Sequence, residues 1–307
     1  MRRELVLPAS AAGRLDRAVA DALGLGRAAV KEAFQRGAVR VAGRRARPAD
    51  PAAPGAAVTI DVEAPAGPPA ADVTAPLRVL LETPRLLVVE KPAGVATHPL
   101  REGETGTLAN AVVARYPECA AASPAAREGG AVQRLDLETS GAVLFARDRA
   151  AWEHLHAELA ARRVEKTYLA LVAGRVAAGG TTSVPLAQKG ARAVPVPDPE
   201  RAPKGVSRPR EAVTHWEPLR RLPAHTVLEV RIETGVMHQI RAHLANLGHP
   251  VAGDSLYGGP AAAVPGLARH ALHAHRIVLV GPDGARVAAE SPWPADLAAV
   301  EAALAGS

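Results

Sequence analysis

The order in which extended segments follow one another constrains this chain most. From residue 78 onward, apolar stretches of strand length occur at 86–90, 142–146, 164–172, 212–219, 225–232 and 272–280. Helical spacing occurs at 107–116, 149–161, 238–247 and 294–304. Several strands follow each other directly. A doubly wound parallel sheet needs a crossover helix between consecutive strands, so the pattern predicts an α+β fold with antiparallel pairing. Aromatic residues make up only 3% of the chain, so the core must rest on Ala, Val and Leu. Residues 191–210 carry Pro195, Pro197, Pro199, Pro203 and Pro209 and predict a long mobile loop.

The first sixty residues form a separate pattern. Leu15, Val19, Ala22 and Leu23 fall at helical spacing, with Gly24 as a stop. A second helix runs over 28–36, with Val30, Ala33 and Phe34 on one face and Gly37 ending it. Residues 39–41 and 58–62 alternate like short strands. The Pro/Ala-rich stretch from Ala64 to Pro76 is the clearest boundary. The expected organisation is a small domain over 1–63, a linker over 64–78 and a large domain over 79–307.

Charge follows that division. Residues 1–47 hold 11 Lys+Arg against 4 Asp+Glu, a net of +7, while the remaining 260 hold 26 against 27, a net of −1. A localised basic segment suits a polyanion such as nucleic acid. It is equally an Arg-rich solvated surface in a chain with 32 Arg and 5 Lys. No apolar run approaches the ~18 residues needed to span a bilayer, and Met1 to Pro8 holds no apolar leader core. The single Cys119 excludes an internal disulfide and is either a nucleophile or an apolar filler. The expectation is a cytoplasmic protein without membrane contact.

Two stretches carry the chemistry. In Gln133-Arg134-Leu135-Asp136-Leu137-Glu138-Thr139-Ser140-Gly141, period-two spacing puts Arg134 and Asp136 on one face and Leu135 and Leu137 on the other. An acid beside an arginine at the edge of a buried strand is either a functional carboxylate in a dry site or an ordinary strand-end ion pair. In the stretch from Thr234 to Pro250, Ile240, Leu244 and Leu247 form the buried stripe of a short helix, and Arg241 lies off it. His238 and His243 are five apart and share no helical face. His270 and His273 are read as facing opposite ways in a strand, so no metal site is expected. Glu90-Lys91-Pro92-Ala93-Gly94 and Glu165-Lys166-Thr167-Tyr168 flank these stretches.

Taken together, the set resembles the RluA family of pseudouridine synthases over residues 79–290. The residues that carry it are Glu90 to Gly94, Arg134-Leu135-Asp136 with Thr139-Ser140-Gly141, and Glu165-Lys166 with Tyr168. They continue with His238-Gln239-Ile240-Arg241 and His243-Leu244, Gly248-His249-Pro250, Gly253-Asp254 with Tyr257-Gly258, and Leu272-His273-Ala274. The N-terminal segment resembles the alpha-L RNA-binding domain (the type of ribosomal small-subunit protein S-four) through Arg14-Leu15-Asp16, Arg27 to Gly37 and Val39 to Gly43. Two positions depart from the family pattern. Gln133 stands where a His is usual, and Val236-Met237 stand where a Gly-Arg pair is usual.

The resemblance implies the pseudouridine synthase fold, a mixed, largely antiparallel sheet flanked by helices and loops, with a small N-terminal α/β RNA-binding domain. It implies an isomerase that needs no cofactor and converts uridine in structured RNA, ribosomal or transfer, to pseudouridine, working as a monomer. Asp136 is then the catalytic carboxylate, adding to the sugar or removing a sugar proton. Arg241 pairs with it. Tyr168 stacks on the base or takes the carbon 5 proton. Arg134, Lys91, Lys166, His238 and Gln239 contact substrate, with Arg134 filling the space a flipped uridine leaves. Glu138 is a surface residue. Arg14, Arg27, Lys31, Arg36 and Arg40 hold RNA phosphates. The alternative is an RNA-binding protein that kept the fold and lost the chemistry.

Overall fold

The computed structural model describes residues 2–23, 27–61 and 67–306. The chain divides into two compact units, residues 1–66 and 67–307.

The first unit packs α1 (Leu15–Leu23) and α2 (Arg27–Gln35) on a four-stranded antiparallel sheet. Its strands are β1 (Arg2–Val6), β2 (Val39–Val41), β3 (Arg44–Arg45) and β4 (Ala57–Asp61), in the order β1-β4-β2-β3. Leu15, Val19, Val30, Ala33, Phe34 and Ile60 are its core. Gly37, at φ +70°, ends α2 in the left-handed conformation that glycine adopts without a Cβ penalty. The buried face of α1 is Leu15, Val19 and Ala20, whereas the expected Ala22 is exposed. The expected stop at Gly24, Val62 of the second strand, and residues 64–66 of the Pro/Ala stretch lie outside the described residues.

In the second unit a nine-stranded sheet runs β5 (Arg78–Glu82), β6 (Leu86–Lys91), β7 (Ser140–Ala146), β14 (Leu272–Val280), β8 (Glu165–Ala173), β13 (His225–Ile232), β12 (Thr214–Arg221) and β9 (Gly180–Thr182). The ninth strand, β15 (Arg286–Glu290), pairs with β14. The pairs are antiparallel except β7 with β14, which meet in parallel at His273↔Ser140 and Ala274↔Gly141. Beyond those residues β14 turns the same edge to β15.

β7 is buried at every position, as a strand covered on both faces must be. Leu87, Val89, Val143 and Phe145 enter one core while Leu86, Val88, Ala142 and Leu144 enter another, following the period-two alternation of strands. Helices α3 (Leu108–Arg115), α4 (Arg149–Ala160), α5 (Gln239–Asn246) and α6 (Ala295–Ala305) complete the unit. Thr107 and Asn110 form a reciprocal capping box on α3, and the Asp148 carboxylate caps α4 through Ala151 N–H.

The Pro-rich stretch 191–210 is not a free loop. β11 (Arg192–Pro195) pairs with β10 (Leu186–Lys189) as a hairpin, and Pro199–Arg201 forms a 3-10 turn. The far end is tied back where Leu186 and Arg210 exchange both backbone hydrogen bonds, at 2.9 and 2.8 Å. The prolines here are compatible with a two-stranded ladder, because an edge strand needs few N–H donors.

Candidate active site

Asp136 lies in the segment that leads into β7. This segment is not a strand. Leu135 is buried, but Leu137 is 53% exposed, so the predicted alternation breaks there. Thr139 N–H closes a turn on Asp136 C=O at 3.1 Å. The turn is anchored from below. Lys91 Nζ donates to the carbonyls of Pro92, Val95 and Leu137 at 2.9, 2.6 and 2.8 Å, and Gly94 N–H also donates to Leu137. Arg269 reaches the Glu138 carbonyl at 3.2 Å, and Thr97 Oγ1 accepts Leu135 N–H.

The next three residues dock the turn onto β14 and its approach. Thr139 Oγ1 meets His270 Nε2 at 2.7 Å, and Ser140 Oγ meets His273 Nδ1 at 2.9 Å. A Cβ on Gly141 would sit 2.2 Å from Ala274 O, and its φ is +115°, so only glycine fits. Burial, and for His270 also the Arg241 charge, pushes both His270 and His273 down to about 4. Both imidazoles are therefore neutral near pH 7.

Arg241, on α5, joins two carboxylates. Its Nη1 donates to Asp136 Oδ2 at 2.8 Å, while Nε and Nη2 fork onto Asp254 at 2.7 and 2.9 Å. Asp254 is fully buried and also accepts N–H from Leu256 and Tyr257. Burial alone would raise its carboxyl, but the Arg241 fork outweighs burial and holds it below the usual range. The Tyr257 ring lies between the guanidinium groups of Arg192 and Arg241, at 5.1 and 5.2 Å.

These groups open on a cleft of about 680 Å³. Asp136, Arg241 and His238 supply polar groups, and Leu135, Tyr168, Ile232 and Leu272 supply an apolar wall. Tyr168, on β8, is buried, and burial together with the Asp136 charge raises its phenol well above the ordinary value. Such a cleft accepts a planar, mostly apolar ring with a few fixed polar partners.

The structure redistributes the residues expected from sequence. Asp136, Arg241, Tyr168, His238 and the exposed Arg134 line the cleft together. Lys91 does not meet substrate space: it is fully buried, its three bonds go to main-chain carbonyls, and burial lowers its ammonium to about 8. Lys166 is also buried, lowered to about 8 by burial, and reaches Thr234 O at 3.3 Å. Gln239 borders the cleft, but its amide is spent inside the protein. Its Oε1 accepts from Thr234 and Val236, and its Nε2 donates to Val213 and Thr214. Glu138 is half-buried and lines the cleft rather than the outer surface. Leu247, expected in the buried stripe of α5, is 39% exposed. His270 precedes β14 instead of lying in it. Among the described residues no group of His, Cys, Asp and Glu is arranged to hold a metal. Burial pushes the Cys119 thiol up to about 12, which suits a filler and not a nucleophile.

In the first unit Arg14 forks onto Asp16, Arg40 donates to Gly43 O, and Lys31 and Arg36 are exposed. The Arg27 side chain lies outside the described residues. Sequence reasoning passes over Asp254, Tyr257, Arg210 and Arg269 as site residues. The signal for Asp254 and Tyr257 is present in the Gly253-Asp254-x-x-Tyr257-Gly258 pattern.

Comparison with known proteins gives the family. Residues 85–246 match the family model described as RNA pseudouridylate synthase. The chain is 38% identical to ribosomal large subunit pseudouridine synthase D of Xanthomonas campestris, over 98% of this chain and 92% of that protein. The chain belongs to the RluA-type RNA pseudouridine synthases. The synthase is also 36% identical to ribosomal large subunit pseudouridine synthase D of Pseudomonas aeruginosa, over 72% of this chain and 69% of that one.

 Among solved structures, human RNA pseudouridylate synthase domain containing 1 superposes with TM-score 0.57 at 25% identity, over 71% of this chain and 83% of that one. The fold is therefore the pseudouridine synthase fold, and the predicted α+β class holds. No helix among the described residues is long and apolar enough to cross a membrane.

Proposed function

We propose that the synthase isomerises uridine in ribosomal RNA of the large subunit, with Asp136 as its catalytic carboxylate. The observation that carries this reading is the Asp136–Arg241 pair at the mouth of an apolar cleft walled by Tyr168. The names of the full-length relatives support the RNA class. The reaction breaks the bond from ribose carbon 1′ to uracil nitrogen 1 and forms one from carbon 1′ to carbon 5, and carbon 5 gives up a proton while nitrogen 1 takes one up. Nothing is oxidised or reduced, so no redox cofactor is required. The departing uracil carries its own negative charge, so one carboxylate suffices where glycosidases use two.

Arg241 fixes Asp136 through Oδ2 and leaves Oδ1 toward the cleft. Tyr168 offers a ring face to the base and a phenol to the carbon 5 proton. A uridine inside a helix must leave its stack to reach Asp136, at a cost of roughly a few kcal/mol, and exposed Arg134 is placed to fill its space. Positive charge for the RNA backbone comes from two places. One is the first unit, which we assign as an alpha-L RNA-binding domain over 1–63 on its basic charge. The other is the β10–β11 lobe, where residues 186–210 hold a basic excess and Arg210 lines the cleft. Val236 and Met237 line the cleft beside these groups and bear on which RNA is chosen. An enzyme of ribosomal RNA works where ribosomes assemble, in the cytoplasm.

The test is Asp136→Asn. Tritium release from large-subunit RNA labelled at uridine carbon 5 should vanish while RNA affinity stays, because affinity comes mainly from phosphate contacts elsewhere. Release near the wild-type rate in this variant would refute the assignment. Release from transfer RNA and none from ribosomal RNA by the wild type would move the substrate.

A further inference from the structure

His238 is a polar group of the cleft whose chemistry the reaction outlined above leaves unused. It precedes α5 and has φ +56°, in the left-handed region that few residues other than Gly, Asn and Asp occupy without cost. Its ring is held at one nitrogen. Nδ1 lies 3.1 Å from the Tyr257 hydroxyl. That hydroxyl oxygen already accepts the backbone N–H of Ala193, in β11, at 2.7 Å. The hydroxyl's single proton is therefore free to point at His238 Nδ1, an arrangement in which Nδ1 is the unprotonated nitrogen. Burial lowers the pKa of His238, so its ring is neutral near pH 7 and carries one proton. In that arrangement the proton sits on Nε2.

Nε2 is 3.8 Å from Asp136 Oδ1. This is the carboxylate oxygen that Arg241 does not hold. The alternative tautomer would aim a lone pair at a carboxylate, so the field of Asp136 favours the same assignment as Tyr257 does. Two independent contacts, one on each ring nitrogen, agree. A separation of 3.8 Å is longer than a hydrogen bond, and catalytic contacts often tighten only once substrate is bound.

We propose that His238 is a positioning residue for Asp136: fixed as the Nε2–H tautomer by the Tyr257 hydroxyl, it presents an N–H to the carboxylate oxygen that Arg241 leaves free. The inference rests on Asp136 being the catalytic carboxylate. The carboxylate is then held at both oxygens and cannot swivel about its own axis when the base turns over. The chain of contacts runs Ala193 N–H, Tyr257 O–H, His238 Nε2–H, Asp136 Oδ1, so the β10–β11 hairpin is its outer end.

The test uses the full-length protein and large-subunit RNA in single turnover, with RNA affinity measured alongside. Asn and Gln replace His238 with opposite virtues. Asn suits the left-handed backbone but places its amide near the Nδ1 position, whereas Gln strains the backbone but reaches the Nε2 position. A positioning donor predicts that His238→Asn slows the reaction by roughly a hundredfold. His238→Gln should be at least about tenfold faster than the Asn variant although less stable to heat. Tyr257→Phe should slow the reaction roughly tenfold, the scale of one hydrogen bond, with affinity within about twofold. A nitrogen-15 spectrum of the histidine rings, with the His238 signals identified by their disappearance in His238→Asn, should show Nε2 protonated in the wild type. Full activity in His238→Asn would overturn the proposal, because His238 would then serve the backbone alone. An Nδ1-protonated His238 in the wild type would also overturn it. Wild-type activity in Asp136→Asn would instead remove the catalytic reading of Asp136 on which the proposal stands, whatever the ring spectrum shows.

Discussion

Replacing Arg241 by Met separates what this side chain does for the fold from what it does for the reaction. Arg241 makes three hydrogen bonds to two carboxylates, and its own side chain is 8% exposed. Asp254 is 0% exposed, so without Arg241 its charge would be held only by the N–H groups of Leu256 and Tyr257. Breaking a buried pair on one side costs about 3–5 kcal/mol. Asp136 is 25% exposed and can turn to water, so it adds little to that cost. For a unit of this size the destabilisation corresponds to a melting shift of roughly 6–20 °C.

A second change, Asp254→Asn, removes the stranded charge and keeps an acceptor for the two N–H groups. Stability of the Arg241→Met/Asp254→Asn double variant should return to within about 2 kcal/mol of wild type, as buried pairs replaced on both sides commonly do. Activity should not return, because Asp136 still lacks the donor that fixes Oδ2, and both variants should be slower by roughly a hundredfold or more. Asp254 also gives the sign of the acid response. Its folded pKa lies below its ordinary 3.8 because the Arg241 fork overcomes burial. The stability it contributes is present above that ordinary value and is lost as pH falls through the folded value. Wild type should therefore lose more stability below about pH 4 than the double variant. Urea unfolding followed by circular dichroism, with tritium release alongside, measures both quantities. Arg241→Met as stable as wild type, or a double variant with restored activity, would refute the reasoning.

Three further outcomes follow from the same geometry. Lys91 falls from 10.5 to about 8 on folding, so the unfolded chain binds more protons between those values and wild-type stability should rise with pH across that window. Lys91→Met should lack that rise, by at most about 3 kcal/mol, in urea titrations at about pH 7.5 and 10; parallel curves would show that the buried amine does not titrate there. Tyr168→Phe should keep RNA affinity and slow the carbon 5 step, whereas Tyr168→Ala should weaken binding as well; full activity in both would make Tyr168 a wall residue only. Deleting residues 1–63 should leave the second unit folded but flatten the slope of log affinity against log salt by roughly 0.7–0.9 for every phosphate the first unit had neutralised. An unchanged slope would mean that the net +7 of residues 1–47 is a solvated surface.

Much of this is legible before any coordinates. β13 and β14 match their expected limits, and β6, β7, β8 and β12 fall within two residues, because runs such as Leu-Val-Val and Ala-Val-Leu-Phe are buried on both faces and bounded by turns. β5 and β15 are not legible: five residues with charged ends and partial burial look like any surface stretch. Site residues split along a similar line. Asp136, Arg241 and Tyr168 line one cleft, although Asp136 sits on a turn and not on the strand its spacing predicted. Lys91 and Lys166 sit elsewhere, and Gln239 borders the cleft with its amide spent inside the protein, because sequence gives a residue's type but not the direction its side chain takes. An ammonium turned inward onto three carbonyls reads the same, letter for letter, as one turned outward to a phosphate. Asp254 escapes notice for the opposite reason, since an acid after a glycine passes for a turn residue.

The parallel contact between β7 and β14 spans two residue pairs, and it joins two antiparallel plates. The first plate, β5 to β7, carries the turn with Asp136. The second carries Tyr168 on β8, and Arg241 and Asp254 fall in sequence between its strands β13 and β14. The strand that closes the joint, β14, begins at residue 272, near the end of the chain. During synthesis the carboxylate therefore emerges long before the groups that aim it. The docking of the turn therefore closes over long range: Thr139 and Ser140 meet their histidine partners 131 and 133 residues later in sequence.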